Sequence, residues 1–284
     1  MIYLAPEVAS GLGEDTFWTW FKREIPDSKF YRGETTTNND VVLRYSTANG
    51  HTNPKHTICL LWELYPEMKE MLKSNTWDFR MTTINSAIKS AEHHVLSSKI
   101  MIPYYEHMCS KLNVLPIGVN TNLFKPLNSK DALRKKYGIP LDKRVGVWGG
   151  TTHTMKGHDK FLKYKQDNPD IVWIILWKWK QEASEVAGCF NYIQVPQEQM
   201  NELFNCADFF LSTSRLRPFY MMEWEALASN LNFIILDNIQ KDFTPSENPR
   251  DQVIELGWDR ETAKKTWLSY IDSIIKKNNA QHVI

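Results

Sequence analysis

Val145-Gly146-Val147-Trp148-Gly149-Gly150-Thr151-Thr152-His153-Thr154-Met155-Lys156-Gly157-His158-Asp159 runs near the middle of the 284-residue chain. A short apolar run leads into a Gly- and Thr-rich loop, then into polar residues at helical spacing, which reads as strand, turn and helix. The same alternation repeats outward in both directions. Strands are expected at residues 1–5, 41–43, 57–62, 81–84, 94–96, 100–102, 114–116, 145–148, 171–176, 192–195, 209–213 and 233–236. Helices fit at 15–24, 65–74, 104–112, 158–166, 197–206, 221–229 and 260–277. Short apolar runs separated by helical stretches describe parallel sheets covered by helices.

Asn122-Leu123-Phe124-Lys125-Pro126 and the polar segment 127–143 interrupt this pattern, and the Asn128-Ser129-Lys130-Asp131 start fits a capped linker helix. An α/β fold of two Rossmann-like lobes follows: residues 1–122, and residues 123–284 with a final helix able to pack back on the first lobe. Sheets of this kind bind ligands at the carboxyl ends of their strands, so a cleft between lobes is the expected site.

With 34 Lys and Arg against 33 Asp and Glu, the net charge of +1 gives no global field toward nucleic acid or anionic lipid. Cys59, Cys109, Cys189 and Cys206 lack the paired spacing of a zinc site or disulfide framework, and read as buried thiols of a reducing compartment. The start, Met1 to Glu7, has neither a basic region nor a long apolar run, and no later stretch approaches about 18 apolar residues without charge. A cytoplasmic protein with no integral membrane association is expected.

Gly11-Leu12-Gly13 follows the first strand and precedes a helix, so its backbone could approach a ligand and the helix start could face a phosphate. A tight strand-to-helix turn accounts for it equally well.

Pro116-Ile117-Gly118-Val119-Asn120-Thr121-Asn122-Leu123-Phe124-Lys125-Pro126 resembles the inter-lobe segment P-x-G-V-D-x-x-x-F-x-P of the group-1 retaining glycosyltransferases, with Asn120 for the usual Asp. That family has the GT-B fold. The 145–159 stretch is similar to its G-R-x-x-x-x-K-G segment, in which Arg and Lys hold the donor diphosphate. By that resemblance Gly149, Gly150 and Thr151 line the donor site and Lys156 binds the diphosphate, while the Arg position falls on the uncharged Thr151. A lysine's point charge suits a pyrophosphate that gains negative charge as the glycosidic bond breaks.

Further on, Gln194-Val195-Pro196-Gln197 and the helix and strand after it resemble the family's nucleotide side, with Pro196 near the base. Arg217-Pro218-Phe219-Tyr220-Met221-Met222-Glu223-Trp224-Glu225-Ala226-Leu227-Ala228 resembles E-x-F-G-x-x-x-x-E-A-x-A. Glu225 matches the second Glu, which in the family bonds the ribose hydroxyls; a carboxylate can accept two hydroxyl hydrogens at once. Arg217 replaces the sugar-facing Glu and Tyr220 the Gly, while Phe219 is kept. Arg217 could grip a phosphate or a uronic-acid carboxylate, so positive charge could have moved from the Thr151 position. Glu223, two residues from Glu225, would lie on another helix face.

In the first lobe, Leu61-Trp62-Glu63-Leu64-Tyr65-Pro66-Glu67 ends a strand and starts a helix, where Glu63 could contact a sugar hydroxyl. His93 and His94 sit beside an apolar strand and fit core or edge histidines better.

The resemblance runs from about residue 114 to 236 and implies transfer, with retention, from a nucleotide-sugar donor to a glycan or small hydroxyl acceptor. It implies no cofactor and no metal, and the chain contains no D-x-D to hold a divalent ion. In the retaining mechanism so implied, the donor phosphate helps deprotonate the acceptor hydroxyl. Two alternatives remain: glycosylation of a modified DNA base, and a catalytically inactive nucleotide-sugar-binding module, the latter motivated by Thr151 and Arg217.

Overall fold

A computed structural model describes residues 1–280, apart from 6–12, 26, 47–53, 74, 110, 179, 181, 182, 184, 217, 219 and 237–243. The chain divides into two compact units, Met1–Gly118 with Arg260–Ile284, and Val119–Asp259.

The first unit is built from β1 (Ile2–Ala5), α1 (Gly13–Glu24), β2 (Ser28–Phe30), β3 (Val41–Tyr45), β4 (Thr57–Leu61), α2 (Tyr65–Leu72), α3 (Asn75–Lys89), β5 (His93–Leu96), α4 (Ile102–Tyr105) and β6 (Leu112–Val114). Its strands form one parallel sheet in the order β2-β1-β3-β4-β5-β6. β1, β3, β4 and β5 are buried along their whole length, as expected of strands covered on both faces. Phe17, Trp18, Trp20 and Phe21 of α1 pack into the core, where Phe17 meets Trp62 edge-on at 4.5 Å between ring centroids.

The second unit contains α5 (Lys130–Tyr137), β7 (Val145–Gly150), α6 (His158–Asp167), β8 (Val172–Trp177), β9 (Phe190–Ile193), α7 (Gln197–Cys206), β10 (Phe209–Ser212), α8 (Met221–Ala228), β11 (Asn232–Ile235) and α9 (Pro249–Glu255). Its parallel sheet runs β11-β10-β7-β8-β9, with β7 at the centre. Side chains alternate between two cores. Val145, Val147, Ile174 and Leu176 face α7 and α8, whereas Trp148, Trp173, Ile175 and Trp177 face Phe161 of α6. α10 (Arg260–Ala280) returns to the first unit, burying Trp267 against the α1 aromatics and donating its indole N–H to Pro116 C=O at 2.8 Å.

Several local expectations need correction. Residues 81–84, expected as a strand, lie inside α3, because Ile84, Ala87, Ile88 and Ala91 continue the apolar spacing at a helical period and are all buried. Residues 100–102 are not a strand. Ser98 Oγ accepts the Ile100 N–H at 3.1 Å, starting a 3-10 turn over Lys99–Met101 that runs into α4. α4 ends at Tyr105, so the helix expected over 104–112 stops early and the chain joins the sheet edge as β6. Ser129 precedes α5 with a φ of 115° and makes no capping hydrogen bond, so the linker helix lacks the expected cap. The cysteines are free, but Cys109 and Cys189 are only half-buried, unlike Cys59 and Cys206.

Candidate nucleotide-sugar site

Two glycines shape the end of β7 and the loop behind it. A Cβ on Gly149 would fall 2.0 Å from Met222 Sδ, so the glycine leaves room for the Met222 thioether of α8 over the strand end. Gly157 has a φ of 68°, and a Cβ there would sit 2.1 Å from Thr213 C=O. Only glycine meets both conditions at that point, which brings the loop's backbone onto the end of β10.

Between them, residues 151–157 are fastened at nearly every step. Thr151 is buried and its hydroxyl accepts the His153 N–H at 3.3 Å. His153 Nδ1 accepts the Met155 N–H at 3.3 Å, opening the 3-10 turn Thr154–Lys156. From below, Thr213 Oγ1 donates to Lys156 C=O at 2.6 Å and accepts the Trp148 indole N–H at 2.8 Å. From the side, the Arg215 guanidinium donates to Thr154 C=O at 2.6 Å and to both Asp159 oxygens at 2.8 and 2.6 Å, while its backbone N–H reaches Met155 C=O at 2.9 Å. Hydrogen bonding to Arg215 pushes the Asp159 carboxyl down to about 2.

This clamp fixes the base of Lys156, whose half-buried side chain carries its ammonium over the ring of Tyr220. The ring's negative face attracts the cation. Tyr220 is the residue before α8, and its N–H donates to Glu223 Oε2 at 2.7 Å while Ser212 Oγ donates to the other Glu223 oxygen. Glu223 therefore joins the start of α8 to β10. Glu225 is 5% exposed, which sets aside a solvated helix-surface carboxylate, and accepts a long 3.4 Å bond from Gln197 Nε2. Pro196 immediately precedes α7 and so stands beside that amide.

Sequence matching to family models finds none. A stretch of 129 residues, 44% of this chain, is 30% identical to TuaC of Bacillus subtilis (strain 168), a protein named for a glycosyltransferase role in teichuronic acid biosynthesis. The match spans 33% of that protein's length. Among solved structures, WaaG, a glycosyltransferase involved in lipopolysaccharide biosynthesis, is similar over 99% of this chain and 96% of its own at a TM-score of 0.63 and 11% identity. Anabaena HepE in complex with UDP gives 0.61 and 13% over 99% and 97%. Sucrose-phosphate synthase from Thermosynechococcus elongatus gives 0.57 and 13% over 95% and 78%. The fold is GT-B.

In this GT-B chain the second unit brings together Gly149, Gly150, Thr151, Lys156, Tyr220, Glu225 and Pro196 around the carboxyl ends of β7, β9 and β10. Arg217, Phe219 and Gly11 lie outside the described residues. Gly13 opens α1 in the first unit. Glu63 occupies the turn between β4 and α2, where its C=O accepts the Tyr105 hydroxyl at 2.6 Å and that hydroxyl accepts the Tyr65 N–H at 3.1 Å. The Glu63 carboxylate makes no hydrogen bond or ion pair among the described residues. His93 and His94 are buried; His93 packs against Tyr270 and His94 Nε2 bonds Ile88 C=O at 3.0 Å, so both are core residues. Sequence reading missed Thr213, Arg215 and Gln197. Among the described residues no helix is long and apolar enough to cross a membrane.

Proposed function

We propose that this chain is a glycosyltransferase whose unit Val119–Asp259 binds a nucleotide-sugar donor and whose first unit receives a glycan or other hydroxyl acceptor. Lys156 binds the diphosphate, Glu225 the ribose hydroxyls, and the backbone around Pro196 the base. The observation that carries this reading is that a clamped lysine and a buried carboxylate are both set against α8: Lys156 at its start over Tyr220, Glu225 five residues along. At the rise of a helix, Tyr220 and Glu225 are about 7.5 Å apart along the axis, of the order of the reach from a ribose to its phosphates. UDP bound to the similarly folded Anabaena HepE supports a nucleotide as ligand.

In the proposed reaction, the bond from the sugar's anomeric carbon to the diphosphate breaks and the leaving oxygen takes the electron pair. Lys156 stabilises the charge that develops there. The acceptor oxygen bonds to the anomeric carbon on the face the diphosphate leaves, and its proton passes to the departing phosphate, giving retention without a protein nucleophile. Glu63 orients the acceptor hydroxyl. The lysine neutralises the leaving group without a divalent ion, so transfer should persist in EDTA.

Incubation with labelled nucleotide sugars and candidate glycans tests this, with the product's anomeric configuration read by NMR. Labelled product with the donor's configuration is expected. An inverted product would remove the retaining step, transfer confined to base-modified DNA would replace the glycan acceptor, and nucleotide binding with no transfer to any acceptor would leave a binding module.

A further inference from the structure

The position at which the resemblance places a phosphate-binding arginine holds Thr151, which is buried and whose hydroxyl serves the His153 N–H. It carries no charge for a phosphate. The adjoining strand does. β7 and β8 pair in register as far as Gly150 and Trp177, a pair closed by the Lys178 N–H donating to Gly150 C=O at 3.1 Å. Thr151 and Lys178 are the residues that follow this last pair, each leaving the end of its own strand, and neighbouring strands lie about 4.8 Å apart.

Its other flank is the turn that leads to α7, because the Gln194 N–H donates to Trp177 C=O at 3.0 Å and Pro196 and Gln197 follow at once. The strand's alternation gives its face. Trp173, Ile175 and Trp177 belong to the core against Phe161 of α6, whereas Ile174 and Leu176 belong to the core that holds Met200, Leu203 and Trp224 of α7 and α8. Position 178 continues the second series, on the side of the sheet that α8 and its Glu225 cover. Lys178 is half-buried there.

We propose that Lys178 is a second cationic ligand of the donor's diphosphate, the charge having moved from the end of β7 to the end of β8. The inference rests on the nucleotide-sugar reading of this unit. Lys156 comes from the loop after β7 and Lys178 from the end of β8, so the ends of two adjacent strands each supply one lysine where the resemblance has one arginine and one lysine. An ammonium is a compact point charge that binds a phosphate oxygen without needing the planar fork of a guanidinium.

Calorimetric titration of UDP, ADP and GDP, and of the matching nucleosides, into the wild-type chain, Lys178→Met and Lys178→Arg tests the assignment. Lys178→Met keeps the aliphatic stem, and thermal melting verifies that each variant is folded. For the diphosphate that the wild type holds best, Lys178→Met should weaken binding about tenfold or more, with nucleoside affinity unchanged and Lys178→Arg restoring most of the loss. Diphosphate affinity unchanged in Lys178→Met overturns the inference while leaving the donor reading intact. An equal loss of nucleoside and diphosphate also overturns it, placing Lys178 on the base. Failure of all three diphosphates to bind the wild type overturns the donor reading itself, and this inference with it.

Discussion

The loop 151–157 after β7 and the turn between β4 and α2 each present a polar side chain past the carboxyl end of a strand, but they are held in different ways. In the first, Thr213, Arg215, Trp148 and His153 fasten the backbone on both sides of Lys156, and Gly157 brings it onto β10. In the second, one hydroxyl, that of Tyr105, bridges Glu63 C=O and the Tyr65 N–H, and the carboxylate bonds to nothing among the described residues. A group that must meet charge developing on a leaving phosphate gains from a fixed position, since no reorganisation is then needed during the reaction.

The sharpest way to break this contrast is Gly157→Ala. It combines a left-handed φ of 68° with a Cβ 2.1 Å from Thr213 C=O, so the loop must leave β10. We expect a loss on the order of 3 kcal/mol or more in urea unfolding, with nucleotide binding lost as well. Unaltered stability would mean the loop is not clamped as described. Next in size, Lys156→Ala should weaken nucleoside diphosphate by about 1.5–3 kcal/mol in calorimetry, the loss typical of a charged hydrogen bond. Unchanged affinity would remove Lys156 from the site.

The two units should also differ in their response to acid. Burial, reinforced by the nearby Lys111 charge, pushes His93 in the first unit from its ordinary 6.5 down to about 4. The unfolded chain therefore takes up a proton that the folded chain refuses. The stabilisation is complete above pH 6.5 and declines as pH falls toward 4. Urea midpoints compared at about pH 7 and about pH 5 should differ less in His93→Phe than in the wild type, and an unchanged difference would clear His93 of that role. In the second unit the equivalent loss starts lower. Asp159 falls from its ordinary 3.8 to about 2 chiefly through Arg215, so its contribution is present above 3.8 and disappears as pH drops toward 2. Its side chain is 66% exposed, so Asp159→Asn should cost no more than about 1 kcal/mol near neutral pH, and less in acid. Smallest of all should be Glu63→Gln, leaving unfolding and nucleotide affinity unchanged and lowering only acceptor-dependent transfer; weakened nucleotide binding would move Glu63 to the donor side.

The two α/β lobes were legible in the sequence because the strand and helix periods that build them are local. α7 matches the expected helix residue for residue, since Pro196 starts it and its apolar spacing ends at Cys206. Four residues such as Met-Thr-Thr-Ile at 81–84 cannot separate strand from helix by period, and only the burial of Ile84, Ala87 and Ile88 on one face decides it. Ser28–Phe30, with one apolar residue in three, offered no strand signal, yet pairs with β1 at the sheet edge. The clamp was hidden for another reason. Thr213 meets Lys156 across 57 residues and Arg215 meets Asp159 across 56, and nothing in either local sequence marks a partner that distant. Lys178 was invisible similarly, because its neighbourhood with Thr151 exists only once β7 and β8 are in register.

Whether α8 presents Glu225 to the ribose of a nucleotide-sugar donor is read from a paired titration of UDP-glucose and UDP into the wild-type chain and Glu225→Gln. Both ligands carry the same ribose. Both should bind the wild type and lose affinity to the same extent in Glu225→Gln; full affinity of the variant for both would mean that Glu225 does not hold the ribose.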